Sequence, residues 1–104
     1  SSASIRERVE HARGVQRERF RRHSIKANGE MTTRHLRKYC VLDTESARIL
    51  ESALDKLGLS ARAYDRILKV ARTIADLASE ESISSAHVAE AIQYRALDKG
   101  YFRM

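Results

Sequence analysis

Apolar residues recur along this chain at intervals of three and four, the spacing of one face of an α-helix. The clearest case is Leu59–Leu77, LSARAYDRILKVARTIADL. A 100° step per residue gathers Tyr64, Ile67, Leu68, Ala71, Ile74, Ala75 and Ala78 on one stripe. Arg62, Arg66, Lys69 and Thr73 fall on the other side, opposite the expected core. Ser60 is placed to cap this helix, which is expected to run to about Ser79. Before it, Asp43 or Thr44 caps a helix to Leu57 that turns Ala47, Leu50, Leu54 and Leu57 inward. Gly58 stops that helix, because glycine tolerates the left-handed conformation beyond a helix end.

The same period, less regular, predicts a first helix from about Ser4 to Arg22. Ile5, Val9, Ala12 and Phe20 lie roughly on one stripe, and Gly14 is expected to interrupt it. The other faces carry Arg6, Arg8, Arg13, Arg17, Arg19, Arg21 and Arg22. HSIKANGEM reads as a loop with Asn28-Gly29 as its turn signal. Thr32 or Thr33 then caps a short helix ending near Tyr39, and Cys40-Val41-Leu42 forms a brief apolar link. Glu80-Glu81-Ser82 reads as an exposed linker. Ser84 or Ser85 caps a last helix that ends before Gly100, with Val88, Ala91 and Ile92 inward, and the tail YFRM is expected to fray or dock lightly. No useful strand pattern appears. The expected fold is all-α, a compact bundle of four to five helices forming one domain over 1–104.

Charge changes this picture in one place. Residues 1–38 hold 11 Lys/Arg against 4 Asp/Glu, a net +7, whereas residues 39–104 hold 9 against 10, a net −1. The first third therefore reads as a basic helical arm and the remainder as the core of the domain. A basic arm fits a polyanion or an acidic protein surface, and a solvated helix has the same composition. Arg13, Arg17, Arg21 and Arg22 are the candidate nucleic-acid contacts. No aromatic residue interleaves them as stacking on single strands favours, and no groove-reading helix stands out. There is no 18-residue apolar run, which argues against a membrane span. SSAS at the start lacks the apolar core and cleavage pattern of a signal peptide, and the lone Cys40 fits a reducing cytoplasm.

Little in the chain supports chemistry by itself. His11, His23, His35, His87 and Cys40 show no HxxxH, HExxH or CxxC spacing, so no metal site is expected. Cys40 with His35 is the one conceivable nucleophile and base pair, and a thiol in an apolar link is usually inert. No GxxxxGK[ST] or GxGxxG is present to cradle phosphates. A self-sufficient enzyme is not expected.

Leu59–Leu77, followed by SAHVAEAIQYRALD at Ser85–Asp98, resembles the C-terminal domain of the magnesium-chelatase-like AAA+ ATPases of the ComM/YifB type. SIRERVEHARGVQRERF and LRKYCVLD extend the resemblance over nearly the whole chain. It implies a fragment of a larger protein, the helical lid over the nucleotide of an upstream AAA+ core. Family members carry a sensor 2 arginine in the first turn of a lid helix, and Arg62 matches that place; Arg66 follows one turn later. By this resemblance Arg62 is catalytic and nucleotide-binding in the full-length protein, and Arg66 assists or bonds the core. ATP and Mg²⁺ belong to that full-length protein and none to the fragment. The implied partners are the upstream core, neighbouring subunits of a hexamer, and DNA during branch migration. The basic arm is left open to DNA, a neighbouring subunit or the core. Two other readings compete, a stand-alone basic module for nucleic acid and a plain protein-interaction bundle.

Overall fold

In the computed structural model the described residues are 2–98, with the side chains of 96–98 left aside, and the expectation for YFRM lies outside them. Five α-helices follow in order, α1 Ser2–Arg19, α2 Thr33–Tyr39, α3 Thr44–Leu57, α4 Ala61–Leu77 and α5 Ser85–Asp98, with a single 3-10 turn at Asn28–Glu30. The all-α expectation holds. The Cα radius of gyration is 14.1 Å.

Helix α4 is the hub. It packs against α5, α1, α2 and the 3-10 turn, while α3 packs on α5. The core is built by Leu50 of α3, by Ile67, Leu68, Ala71 and Ala75 of α4, and by Val88 and Ala91 of α5. Phe20, Met31, Leu36 and Cys40, from the first forty residues, close the same cluster, so the stretch that carries the positive charge also contributes apolar anchors.

The boundaries follow local chemistry. Asp43 accepts a bond from the Ser46 N–H at 2.7 Å, which holds its carboxyl below the usual carboxylate range. The Ser60 hydroxyl accepts from the Ala63 N–H at 3.3 Å. Gly58 takes φ 63°, and the Leu59 N–H reaches the Leu54 carbonyl at 2.9 Å. Helices α2 and α5 each carry a histidine three residues past the cap. The Thr32 N–H donates to His35 Nδ1 at 3.0 Å and the Ser84 N–H to His87 Nδ1 at 2.9 Å. These imidazoles take the place that Glu or Gln holds in the usual capping box.

Several expectations need correction. Helix α1 ends at Arg19 instead of Arg22, because Phe20 swings into the core and the chain turns through Phe20–His23. Gly14 does not interrupt it. Of its apolar stripe, Ala12 and Phe20 are buried, Val9 is half-buried and Ile5 is 54% exposed, since the start of α1 overhangs a groove. Helix α4 stops at Leu77. Its Ala78, expected inward, is exposed, and Ser79 takes the left-handed φ of 60° that closes the end. Lys69 and Thr73 are half-buried, because the 3-10 turn lies over them. Val41 in the apolar link is exposed.

Candidate functional site

The two halves of α4 present arginines in opposite ways. In the first turn, Arg62 stands two residues past the Ser60 cap and is exposed. Arg66, one turn on, is also exposed. Among the described residues neither has a hydrogen-bond or ion-pair partner. The N–H groups of Ala61 and Arg62 have no acceptor within the helix, as at any helix start. The Arg62 guanidinium and two backbone donors thus share the positive end of the α4 dipole, with Arg66 one turn further on, a surface suited to phosphate oxygens.

In the second half Arg72 and Asp76 are buried. Asp76 accepts two bonds from Arg19 of α1 at 2.8 Å each, one from Arg72 Nε at 3.2 Å and one from Asn28 Nδ2 at 2.9 Å. Arg72 also donates to the carbonyls of Glu80 and Glu81, both at 2.9 Å, and so ties down the α4–α5 link. Asn28 donates further to Thr73 Oγ1 at 3.0 Å and accepts from Arg19 at 2.9 Å. One carboxylate against two guanidiniums, each further bonded, satisfies a buried charge cluster that would otherwise be costly. From sequence alone Arg19 groups with the solvated arginines of α1, Asn28 reads as a turn residue, and nothing marks Arg72 or Asp76. The signal for Arg19 was its position two turns after Ala12, close to the same face; the signal for the pair was Arg72 and Asp76 one turn apart, beside the small Ala71 and Ala75.

The other candidates separate. Arg13, Arg17, Arg21 and Arg22 are all exposed; Arg13 and Arg21 have loose ion pairs with Glu10 at 3.8 Å and Glu18 at 3.6 Å. The cysteine–histidine pair gains no support. Burial pushes the Cys40 thiol up to about 11, so it stays protonated at neutral pH, and His35 Nδ1 is engaged by the Thr32 cap. His23 bonds the Tyr39 hydroxyl at 2.9 Å. Among the described residues no three His, Cys, Asp or Glu gather where they could hold a metal, and no helix is long and apolar enough to cross a membrane.

A groove runs along α4 beside these arginines. Its larger part, about 740 Å³, is walled by Ile5 and Val9 of α1, Val70, Ile74 and Leu77 of α4, and Tyr94 of α5. A smaller part, about 250 Å³, shares Val70 and Tyr94 and reaches Arg66.

The family model for the C-terminal domain of magnesium chelatase subunit ChlI matches residues 1–95. This chain belongs to that family. Competence protein ComM of Haemophilus influenzae is 47% identical over 97 residues, which is 93% of this chain and 18% of that protein. The YifB protein of Salmonella typhimurium is 48% identical over 99 residues, 95% of this chain and 19% of the relative, and the Escherichia coli YifB protein is 44% identical over the same length. No solved structure matches significantly. The chain is thus a C-terminal domain of the ComM/YifB type, and it spans less than a fifth of these curated relatives.

Proposed function

We propose that this domain is the lid of a magnesium-chelatase-like AAA+ ATPase and that Arg62 is its sensor 2 arginine. One observation carries the reading: Arg62 is exposed and, among the described residues, without a hydrogen-bond or ion-pair partner in the first turn of the helix that is the hub of the domain. A rigid, cap-anchored helix holds the guanidinium where a phosphate can meet both it and the helix start. ATP bound by the rest of the full-length protein supplies the phosphoryl group. This chain's residues add positive charge beside it as negative charge develops. Arg66 extends the same surface and either assists or bonds the core. Mg²⁺ accompanies the nucleotide and is held by the rest of the full-length protein. The full-length protein is read as a hexameric cytoplasmic motor acting on DNA, in keeping with the competence role that the ComM relative's name states.

The test is ATP hydrolysis by the full-length protein. Arg62→Ala is expected to slow it on the order of 10²–10³-fold, the cost of losing a comparable electrostatic stabiliser. Arg62→Lys is also expected to be impaired, because an ammonium lacks the bidentate fork, and Arg66→Ala to matter less. A wild-type rate in Arg62→Ala overturns the assignment, as does ATP turnover by the isolated 104-residue chain.

The exposure of Arg13, Arg17, Arg21 and Arg22 favours a second reading, sequence-independent DNA binding by this domain alone. Affinity would then fall with salt at a log–log slope of roughly −0.9 per phosphate contact on duplex DNA. Absence of binding at low salt removes it.

A further inference from the structure

The groove beside Arg66 has no use in the reading so far. Its floor is apolar, yet Ile5 is 54%, Val70 37% and Tyr94 55% exposed. Such residues gathered in one concave strip are unlike isolated surface hydrophobes and mark a contact surface. From Arg66 to Ala78 the strip follows α4 for about 18 Å, at ~1.5 Å per residue, the length of three helical turns. Cations rim it on the α1 and α4 sides, at Arg8, Lys69 and Arg66, while Glu90 and Arg95 line it on the α5 side. Its smaller part reaches Arg66.

We infer that this groove seats an amphipathic helix from the preceding part of the same full-length protein. The helix presents about three turns of apolar side chains to Val70, Ile74, Leu77 and Tyr94, carboxylates toward Arg8 and Lys69, and a basic residue toward Glu90. Three observations select this occupant. The relatives are more than five times longer than the matched stretch, and the family's description makes that stretch C-terminal, so preceding chain is available to fill the groove. Helix α1, the first element of the domain, forms one wall of the groove, so preceding chain is delivered at its edge. The groove also reaches Arg66, one turn from Arg62, so a helix seated there lies beside the helix that carries both arginines. The inference rests on the lid reading and deepens it.

Cysteine accessibility tests it. Val70→Cys is placed in the 104-residue chain, which holds its own core, and in a full-length protein whose other accessible cysteines are replaced. Labelling by a bulky maleimide is followed without nucleotide, with Arg48→Cys on exposed α3 as reference and Tyr94→Cys as a second groove probe. The groove cysteines are expected to react at least tenfold more slowly in the full-length protein than in the short chain, at any protein concentration, while Arg48→Cys reacts equally in both. Equal groove labelling in the two proteins overturns the inference. Protection that appears only on raising the concentration assigns the groove to a second copy and also overturns it. The sensor assignment fails separately. Protection that persists while Arg62→Ala hydrolyses ATP normally leaves the groove filled and removes Arg62 from the nucleotide.

Discussion

Arg62 and Arg72 lie on the same helix and in opposite surroundings. Arg62 is exposed at the start of α4 and has no hydrogen-bond or ion-pair partner among the described residues. Arg72 is 4% exposed and bonds Asp76, Glu80 and Glu81. The buried arginine belongs to the fold, because its removal leaves carbonyls and a carboxylate short of donors inside the protein. The exposed arginine has no hydrogen-bond or ion-pair partner among the described residues, as the proposed phosphate role calls for. Residue type does not separate the two; the partners do.

The comparison is broken most severely at Asp76. Asp76→Ala leaves Arg19 and Arg72 buried without their anion, and loss of one partner of a buried ion pair costs about 3–5 kcal/mol. At roughly 4–8 °C per kcal/mol for a domain near this size, thermal melting is expected to fall by more than 10 °C. Asp76→Asn keeps acceptor capacity and is expected to lose less. A melt within about 2 °C of wild type would show that the cluster is not structural.

Arg19→Ala is the next largest. Asp76 keeps Arg72 and Asn28, but α1 loses both of its short bonds to α4. Hydrogen bonds to charged groups are worth about 1.5–3 kcal/mol, so the loss is expected in that range. It is also expected to be uneven. Ala12 is the single buried residue of α1, so amide exchange should rise in α1 well before α4 and α5. Uniform exchange across the chain would mean that α1 is held by other contacts.

Ser60→Ala reaches the other half of α4 without touching the cluster. Loss of an N-cap hydroxyl costs typically ~1 kcal/mol. The first turn is expected to fray, which displaces Arg62 along with it. If Arg62 acts as proposed, this variant is expected to slow ATP hydrolysis by the full-length protein through positioning, and a stability loss with no change in rate would separate the cap from the site.

Local signals carried much of the architecture. The caps at Asp43 and Ser60, the Gly58 stop and the α4 core stripe were legible because each is set by residues within a turn of one another. The exposure of Arg62 and Arg66 was legible for the same reason. What was missed depends on distant chain. Arg19 meets Asp76 across 57 residues, and Lys69 and Thr73 are covered by a turn forty-odd residues earlier. The early end of α1 has no local stop signal in RERFRRHS; Phe20 leaves the helix because the core receives it. The left-handed Ser79 is likewise imposed from outside, as Arg72 fixes the carbonyls of Glu80 and Glu81 that follow it.

The smallest expected effect on stability is the sharpest for Arg62. The first turn of α4 carries no acidic residue, and Arg62 places a full positive charge at the positive end of the helix dipole. Cations there are unfavourable by a few tenths of a kcal/mol, up to about 1 at low ionic strength. Alanine is also the better helix former. Arg62→Ala is therefore expected to leave melting unchanged or to raise it by a few degrees, and Arg62→Glu to raise it further, with both gains shrinking in high salt. Arg66→Ala lies beyond the first turn and is expected to be neutral within about 0.5 kcal/mol. A side chain that weakens its own helix and has no hydrogen-bond or ion-pair partner among the described residues fits the proposed role toward a ligand. Stabilisation of the isolated domain by Arg62→Ala, together with loss of hydrolysis in the full-length protein, would separate that role from folding. A melt lowered by several degrees would instead make Arg62 a second Arg72, and the contrast between the two halves of α4 would disappear.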